Sequence, residues 1–283
     1  MEKTKITVVC ENQAGATIGV MGEHGFSALI EKNNEKILMD TGQGLTLKAN
    51  ANALKINLSE IRKIVLSHGH FDHTGGLADL MPPKGIIDVY AHPDIFAPKY
   101  ARHEYENKKE EVFIGNRFSR EYLESNLNAR FHFKTEFSEI SDGIFFSGVI
   151  PRQTDFEQPD KRLLVKEGSS FIQDPLHDDA SLLIETSSGP VILTGCAHSG
   201  IVNIMNHFSK KTGYKSFYAV IGGTHLGFLN SDKQLKKTMD AFEQYNLNLI
   251  GVSHCTGNEA AAACYDRFKD KFAFANAGWS AWF

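Results

Sequence analysis

SHGHFDHTGG, residues 67–76, places His68, His70, Asp72 and His73 within six consecutive positions. It follows the β-branched run IVLSH (64–68), so the sequence reads as a buried strand that runs straight into a histidine-rich loop. Gathering three imidazoles and a carboxylate at a strand end costs free energy unless something binds them. A divalent metal ion does so. Imidazole nitrogen and carboxylate oxygen suit zinc first, with iron and manganese also accepted by this donor set. A solvent-exposed polar turn is the plainer reading, and it leaves the density of ligand types unexplained. Gly75 and Gly76 follow at once and are expected to let the backbone turn tightly, so that the side chains converge on one point.

Two later turns repeat the context. TGCAHSG (194–200) sets His198 just after the strand PVILTG, and GVSHCTG (251–257) sets His254 just after LIGVS. Either histidine alone reads as a packed or surface residue. Beside the first cluster, both read as ligands.

Around these turns, β-branched runs alternate with helical patterns. KITVVC (5–10), FSALIEK (26–32) and KILMD (36–40) read as an opening antiparallel or mixed sheet, and LTLKANANALKI (45–56) has helical spacing. IIDVYAH (86–92) is another strand. From residue 180 onward the strands ASLLIET, PVILTG, FYAVIGG and LIGVSH alternate with helices over IVNIMNHFSKK, DKQLKKTMDAFEQY and NEAAAACYDRFK. Strands that feed loops that feed helices favour a layered α/β architecture, and the two halves resemble each other. Two stretches break the rhythm: residues 99–130, which look like an inserted arm containing the helical FSREYLESNL, and 147–178, which carry Pro151, Pro159, Gly168 and Pro175. Connections of that length often act as lids or substrate loops. Phe272, Phe274, Trp279, Trp282 and Phe283 read as core and edge packing.

The 283 residues are 42% hydrophobic and 23% charged, which fits a globular chain able to bury a sizeable core. Thirty Lys and Arg against 34 Asp and Glu give a net charge of -4 without a long run of either sign, so no nucleic-acid footprint is present. No stretch of about 18 apolar residues and no leader-like apolar core occur, so a cytoplasmic protein without a membrane partner is expected. Cys10, Cys196, Cys255 and Cys264 lack CxxC spacing and read as reduced thiols, with Cys196 and Cys255 as small buried residues at strand ends.

SHGHFDHTGG, preceded by LMDTG (38–42) and followed by the His198 and His254 turns in order, resembles the metallo-β-lactamase superfamily across nearly the whole chain. The resemblance implies one domain over residues 1–283 with the two insertions, folded as a four-layer αβ/βα sandwich of two mixed sheets with outer helices. It implies a one- or two-metal site at the sheet edge. Position by position, His68, His70 and His198 would hold a first ion, and Asp72, His73 and His254 a second. Asp40 would support the ligand loops by hydrogen bonding. Two-metal members place a bridging Asp or Cys some way beyond the third histidine. Here the residue at that place is His225, 27 positions after His198. An imidazole cannot bridge two ions as a carboxylate oxygen can, so a weak, empty or reshaped second position is expected, with His225 as a ligand or an acid–base group. DDASLLIET, VILTGCAHSGIVN, IGGTHL and VSHCTG, with IPRQTDFE (150–157), resemble the branch grouped around 7,8-dihydropterin-6-methyl-4-(β-D-ribofuranosyl)-aminobenzene-5′-phosphate synthase.

The expected activity is metal-dependent hydrolysis, or a related transfer, on a small phosphate-bearing or ester-like molecule, with Asp72 and His225 in the chemistry. Two other classes compete: an iron-containing redox protein on the same ligand set, and a metal-binding protein whose incomplete second site has lost catalysis. The redox branch carries a Glu in the first motif and an accompanying flavin domain, and the sequence shows neither. Arg152, Lys161 and Arg162 are candidates to grip an anion, and Gly222 and Gly223 to offer backbone amides to an oxyanion.

Overall fold

The computed structural model describes residues 3–81, 84–105, 108–228 and 232–283. Two seven-stranded sheets face each other. The first runs in the order Ser280–Trp282, Lys5–Cys10, Ser27–Lys32, Glu35–Met39, Lys63–Val65, Ile87–Ala91, Ala129–Phe133. The second runs Phe272–Phe274, Leu249–Ser253, Ala219–Gly223, Val191–Thr194, Ser181–Ile184, Ile144–Phe146, Ser138–Ser141. Both are mixed. In the first, the pairings from Glu35–Met39 through Ala129–Phe133 are parallel and the others antiparallel; in the second, the parallel set runs from Val191–Thr194 to Phe272–Phe274.

Strand alternation sorts the apolar side chains into layers. Ile6, Val8, Ala28, Ile30, Ile37 and Met39 of the first sheet meet Leu182, Ile184, Val191, Leu193 and Ile221 of the second in one central core. The residues between them point outward: Leu29 and Leu38 pack with Leu47 and Leu123 on the first pair of helices, and Leu183, Ile192 and Val220 pack under Ile204, Phe208 and Phe242. Both faces of central strands such as Ser181–Ile184, Val191–Thr194 and Ala219–Gly223 are therefore dry, which is why those runs read as continuously apolar. The outcome is the four-layer sandwich.

Helices cover the outer faces: Leu47–Ala53 and Arg120–Asn126 on one side, Ile201–Thr212, Asp232–Gln244 and Asn258–Phe268 on the other. The first is shorter than the spacing over 45–56 predicts, because Lys55 turns into left-handed backbone (φ 59°) and ends it. The Ser119 hydroxyl accepts the Tyr122 amide at 3.2 Å and starts the helix Arg120–Asn126.

The two irregular stretches find each other. Lys99–Tyr105 and Lys108–Phe113, from the presumed arm, join Leu163–Glu167 and Ser170–Gln173 in a four-stranded antiparallel sheet. Residues 147–178 are thus not wholly irregular, and Ala129–Phe133 belongs to the first main sheet, parallel to Ile87–Ala91. No local period announces a sheet whose strands lie some sixty residues apart. Phe283 is buried, whereas Phe274 and Trp282 sit half-exposed or more on short edge strands. No helix among the described residues is long and apolar enough to cross a membrane.

Candidate metal centre

The C-terminal ends of parallel strands converge on one edge of the sandwich. Lys63–Val65 delivers His68, Val191–Thr194 delivers His198, Leu249–Ser253 delivers His254, and Glu35–Met39 ends at Asp40. Asp40, Ala197, His225 and His254 all hold left-handed backbone, with φ between 51° and 58°. Such conformations are uncommon for non-glycine residues and persist where the surroundings over-determine them.

Three ring nitrogens meet first. His68 Nε2 lies 2.9 Å from His70 Nδ1 and 3.2 Å from His198 Nε2. Burial, reinforced by neighbouring imidazoles, holds His68 and His198 well below the ordinary histidine range; burial, then Lys99, brings His70 to about 3. Burial thus favours the neutral form of these rings, the form whose ring nitrogen can serve as a ligand to a cation. Spacings near 3 Å suit ligands that share one small ion. His70 Nε2 and His198 Nδ1 are buried without a hydrogen-bond partner among the described residues.

A second group adjoins the first. His73 Nε2 lies 3.3 Å from His254 Nε2, and Asp72 Oδ2 lies 3.3 Å from His254 Nε2 and 3.7 Å from His73 Nε2. Burial alone would raise the Asp72 carboxyl, but His73, His24 and His254 outweigh it and hold the group well below the usual carboxylate range. Burial likewise opposes charge on His73, and Asp72 and Asp40 override it to push that ring up to about 9. The structure thus brings together His68, His70, Asp72, His73, His198 and His254, with Asp40 beneath them. It adds His24, whose Nε2 is 3.2 Å from Asp72 Oδ2, and Cys196, whose Sγ is 3.2 Å from His73 Nε2. His24 lies far from any motif in the chain, and Cys196 reads as packing because a lone thiol at a strand end carries no spacing signal.

Buried carboxylates fix the ligand turns. Asp40 accepts the Ser67 amide at 2.7 Å, the Ser67 hydroxyl at 2.6 Å and the His73 Nδ1–H at 2.7 Å. Asp178 accepts the Gly69 amide at 2.8 Å and pairs with the buried Lys99 at 2.9 Å; Asp174 pairs with the same ammonium at 2.7 Å. Asp179 accepts the His198 and Ser199 amides at 3.0 and 2.7 Å, and Glu11 accepts the His254 amide. Of these, sequence reasoning found Asp40 alone.

Several sequence expectations need correction. Gly75 and Gly76 do not supply an unusual turn; a Cβ on either would meet Gln43 O at 2.1 Å or Thr41 O at 2.0 Å, so they let the Asp40 loop lie against the histidine loop. Gly223 is no oxyanion donor, because its amide donates to Gly195 O at 3.1 Å. Arg152 gives its guanidinium to the His198 carbonyl at 2.7 Å, and among the three proposed cations only Arg162 lines the cavity. His225 does not stand between the two ligand groups. Its ring lies 4.4 Å from that of His198, centroid to centroid, and Nε2 is 3.7 Å from Asp160 Oδ2. Burial opposes its charge, but Asp160 pushes it up to about 9.

The groups open into a cavity of about 520 Å³ walled by Phe71, Phe113 and Phe228 and carrying Arg102, Arg117 and Arg162. Arg102 is tied to Glu111 and Arg162 to Asp160, whereas Arg117 lies over the Phe71 ring at 5.2 Å and forms no ion pair among the described residues.

The fold and this cluster define a metallo-β-lactamase-type protein, and the family model described as the metallo-beta-lactamase superfamily matches residues 20–254. The chain belongs to that superfamily. It is 32% identical, over 98% of its own length and 96% of the relative's, to 7,8-dihydropterin-6-methyl-4-(beta-D-ribofuranosyl)-aminobenzene-5'-phosphate synthase of Methanocaldococcus jannaschii. Among solved structures, Tm1679, a metal-dependent hydrolase of the beta-lactamase superfamily, superposes with a TM-score of 0.82 at 27% identity, covering 98% of both chains. Zn(2+)-bound PqqB from Methylobacterium extorquens shares the fold, with a TM-score of 0.54 at 11% identity over 98% of this chain and 99% of that one.

Proposed function

We propose that this protein is a metal-dependent hydrolase, or a related transferase, acting on a small phosphate-bearing or ester-like substrate. The observation that carries the reading is the convergence of His70 and His198 on the buried His68, at 2.9 and 3.2 Å, beside a cavity that His70 and His198 line and that has arginines in its wall. His68, His70 and His198 would hold one divalent ion and Asp72, His73 and His254 a second, with zinc the first candidate and iron or manganese the others. When bound, such an ion lowers the pKa of water to about 7 and polarises an oxygen under attack.

The chain's own groups supply the rest. Asp40 fixes the His73 tautomer by taking its Nδ1–H, which leaves Nε2 as the ligand atom. Asp72 Oδ2 orients the attacking water and can take its proton. His225, held toward the cavity and charged by Asp160, is placed to give a proton to a leaving group. Arg117 meets the anionic part of the substrate, and the phenylalanine wall sheds water around it. Similarity to a named synthase favours, as the second reading, transfer to an acceptor other than water. The partner in either case is a small molecule, with no nucleic acid or membrane required. Four free, buried thiols fit a cytoplasmic setting.

The test is elemental analysis of untreated protein, then assay against phosphodiesters, phosphomonoesters and lactones before and after chelation. Bound divalent metal and turnover that a chelator abolishes are expected. Metal-free protein, or turnover indifferent to chelation, overturns the reading.

A further inference from the structure

Two nucleophilic side chains at the centre take no part in the chemistry above. Of the four cysteines, all free and buried, Cys196 and Cys255 line the cavity. Cys10, which lies against Thr46, and Cys264, within the helix Asn258–Phe268, do not. A small oxidant that enters the cavity therefore meets the first two thiols and not the others.

Those two thiols face each other. Their sulfurs lie within 4.8 Å of one another, in a group completed by His254. They come from the turns after Val191–Thr194 and Leu249–Ser253, the strands that flank Ala219–Gly223 in the second sheet. A glycine in the middle strand lets them approach. A Cβ on Gly223 would lie 2.6 Å from Cys255 Sγ and 3.2 Å from Cys196 Cα, so a side chain there would take the space the sulfur occupies. Cys255 already donates to the Cys196 carbonyl at 3.2 Å. Bonding requires the sulfurs to close by less than about 3 Å, which side-chain rotation covers. Their present contacts end on groups of the site: Cys196 Sγ is 3.2 Å from His73 Nε2, and Cys255 Sγ accepts the His225 amide at 3.3 Å.

We propose that Cys196 and Cys255 form a modification site, joined by a hydroperoxide into a disulfide that reversibly rearranges the centre. One thiolate sulfur attacks the peroxide and the O–O bond breaks; the departing hydroxide takes up the thiol's proton as water and leaves a sulfenic acid. The second sulfur attacks that sulfur, the S–S bond forms as the S–O bond breaks, and the oxygen leaves with the second thiol's proton as water. The sulfurs lose two electrons and the peroxide gains them. Formation of the bond is independent of the metal-dependent reading above; its effect on metal and turnover rests on that reading.

Full-length protein as purified is treated with hydrogen peroxide, quenched with an alkylating agent and digested without reductant for mass spectrometry. A peptide pair joined through Cys196 and Cys255, lighter by about 2 Da than the two reduced peptides, is expected, with Cys10 and Cys264 alkylated as free thiols. Dithiothreitol should separate the pair. Zinc affinity, read by chelator competition, and turnover should each fall about tenfold or more in the linked protein and return with dithiothreitol. Cys255→Ser should form no link and leave Cys196 as a sulfenic acid that dimedone traps. Mapping on the unaltered sequence decides the matter if that variant does not fold. Sulfinic acid at Cys196 or Cys255 without a link, or a link that involves Cys10 or Cys264, overturns the proposal, as does a linked protein with unchanged zinc affinity and turnover. Protein that binds no metal when reduced overturns the metal-dependent reading, and the mapped bond then decides this proposal alone.

Discussion

Asp40 and His73 form a buried pair at 2.7 Å in which the carboxylate comes from a residue in left-handed backbone and the imidazole from a four-residue helix. The same carboxylate takes both the amide and the hydroxyl of Ser67, the residue before the first ligand. It therefore sets the orientation of two ligand-bearing segments at once. Asp40→Asn presents an NH₂ to groups that donate, so metal affinity should drop about 10- to 100-fold in a chelator competition. Asp40→Ala should also lose roughly 3 kcal/mol of stability in urea unfolding, because three buried donors lose their acceptor.

Lys99 joins the small antiparallel sheet to the histidine loop. It is 1% exposed, holds Asp174 and Asp178, and Asp178 in turn holds the Gly69 amide between His68 and His70. Removing one partner strands buried charge. Lys99→Met is expected to cost about 3–5 kcal/mol in urea unfolding. Adding Asp178→Asn should recover part of that loss, since the two changes share one network; strict additivity in the double-mutant cycle would refute the coupling.

Arg117 stands over Phe71 without a carboxylate partner among the described residues. On the proposed function it meets the substrate's anionic group in ground and transition states alike. Arg117→Ala should raise KM about tenfold, close to 1.4 kcal/mol of binding, with kcat nearly unchanged. Steady-state kinetics on the best anionic substrate, compared with an uncharged analogue that should respond little, provide the check.

His225 has both ring nitrogens buried without hydrogen-bond partners among the described residues; Nε2 lies 3.7 Å from Asp160 Oδ2 and the ring 4.4 Å from that of His198. A proton donor in that position contributes about 100-fold to turnover, so His225→Ala should lower kcat by that order. Bound metal should stay at the parent level, as read by elemental analysis. Loss of metal would make His225 a ligand instead, and unchanged turnover would remove it from the chemistry.

Much of the site was legible because its strongest part is local. His68, His70, Asp72 and His73 are neighbours in the chain, and a strand followed by a short helix turns all four toward one place. His198 and His254 were legible through their shared strand-end context. Cys196 and His24 were not, since neither carries a spacing signal, and their value appears only when the two sheets face each other. The same holds for Arg117 and Arg102, carried by the arm, and for Arg152, whose charge suggested substrate but whose guanidinium braces the His198 carbonyl.

By itself the sequence determined the alternation of strands and helices and the turns rich in histidine and aspartate, because hydrophobic period and residue identity act over a few positions; the four-layer sandwich followed from the family resemblance. Only the tertiary structure decided that residues 99–113 and 163–173 make one small sheet, that the Cys196 thiol lies 3.2 Å from His73 Nε2, and which arginines face the cavity. Those outcomes depend on contacts between segments far apart in the chain. Such contacts are selected by how whole layers pack, and no local pattern records them.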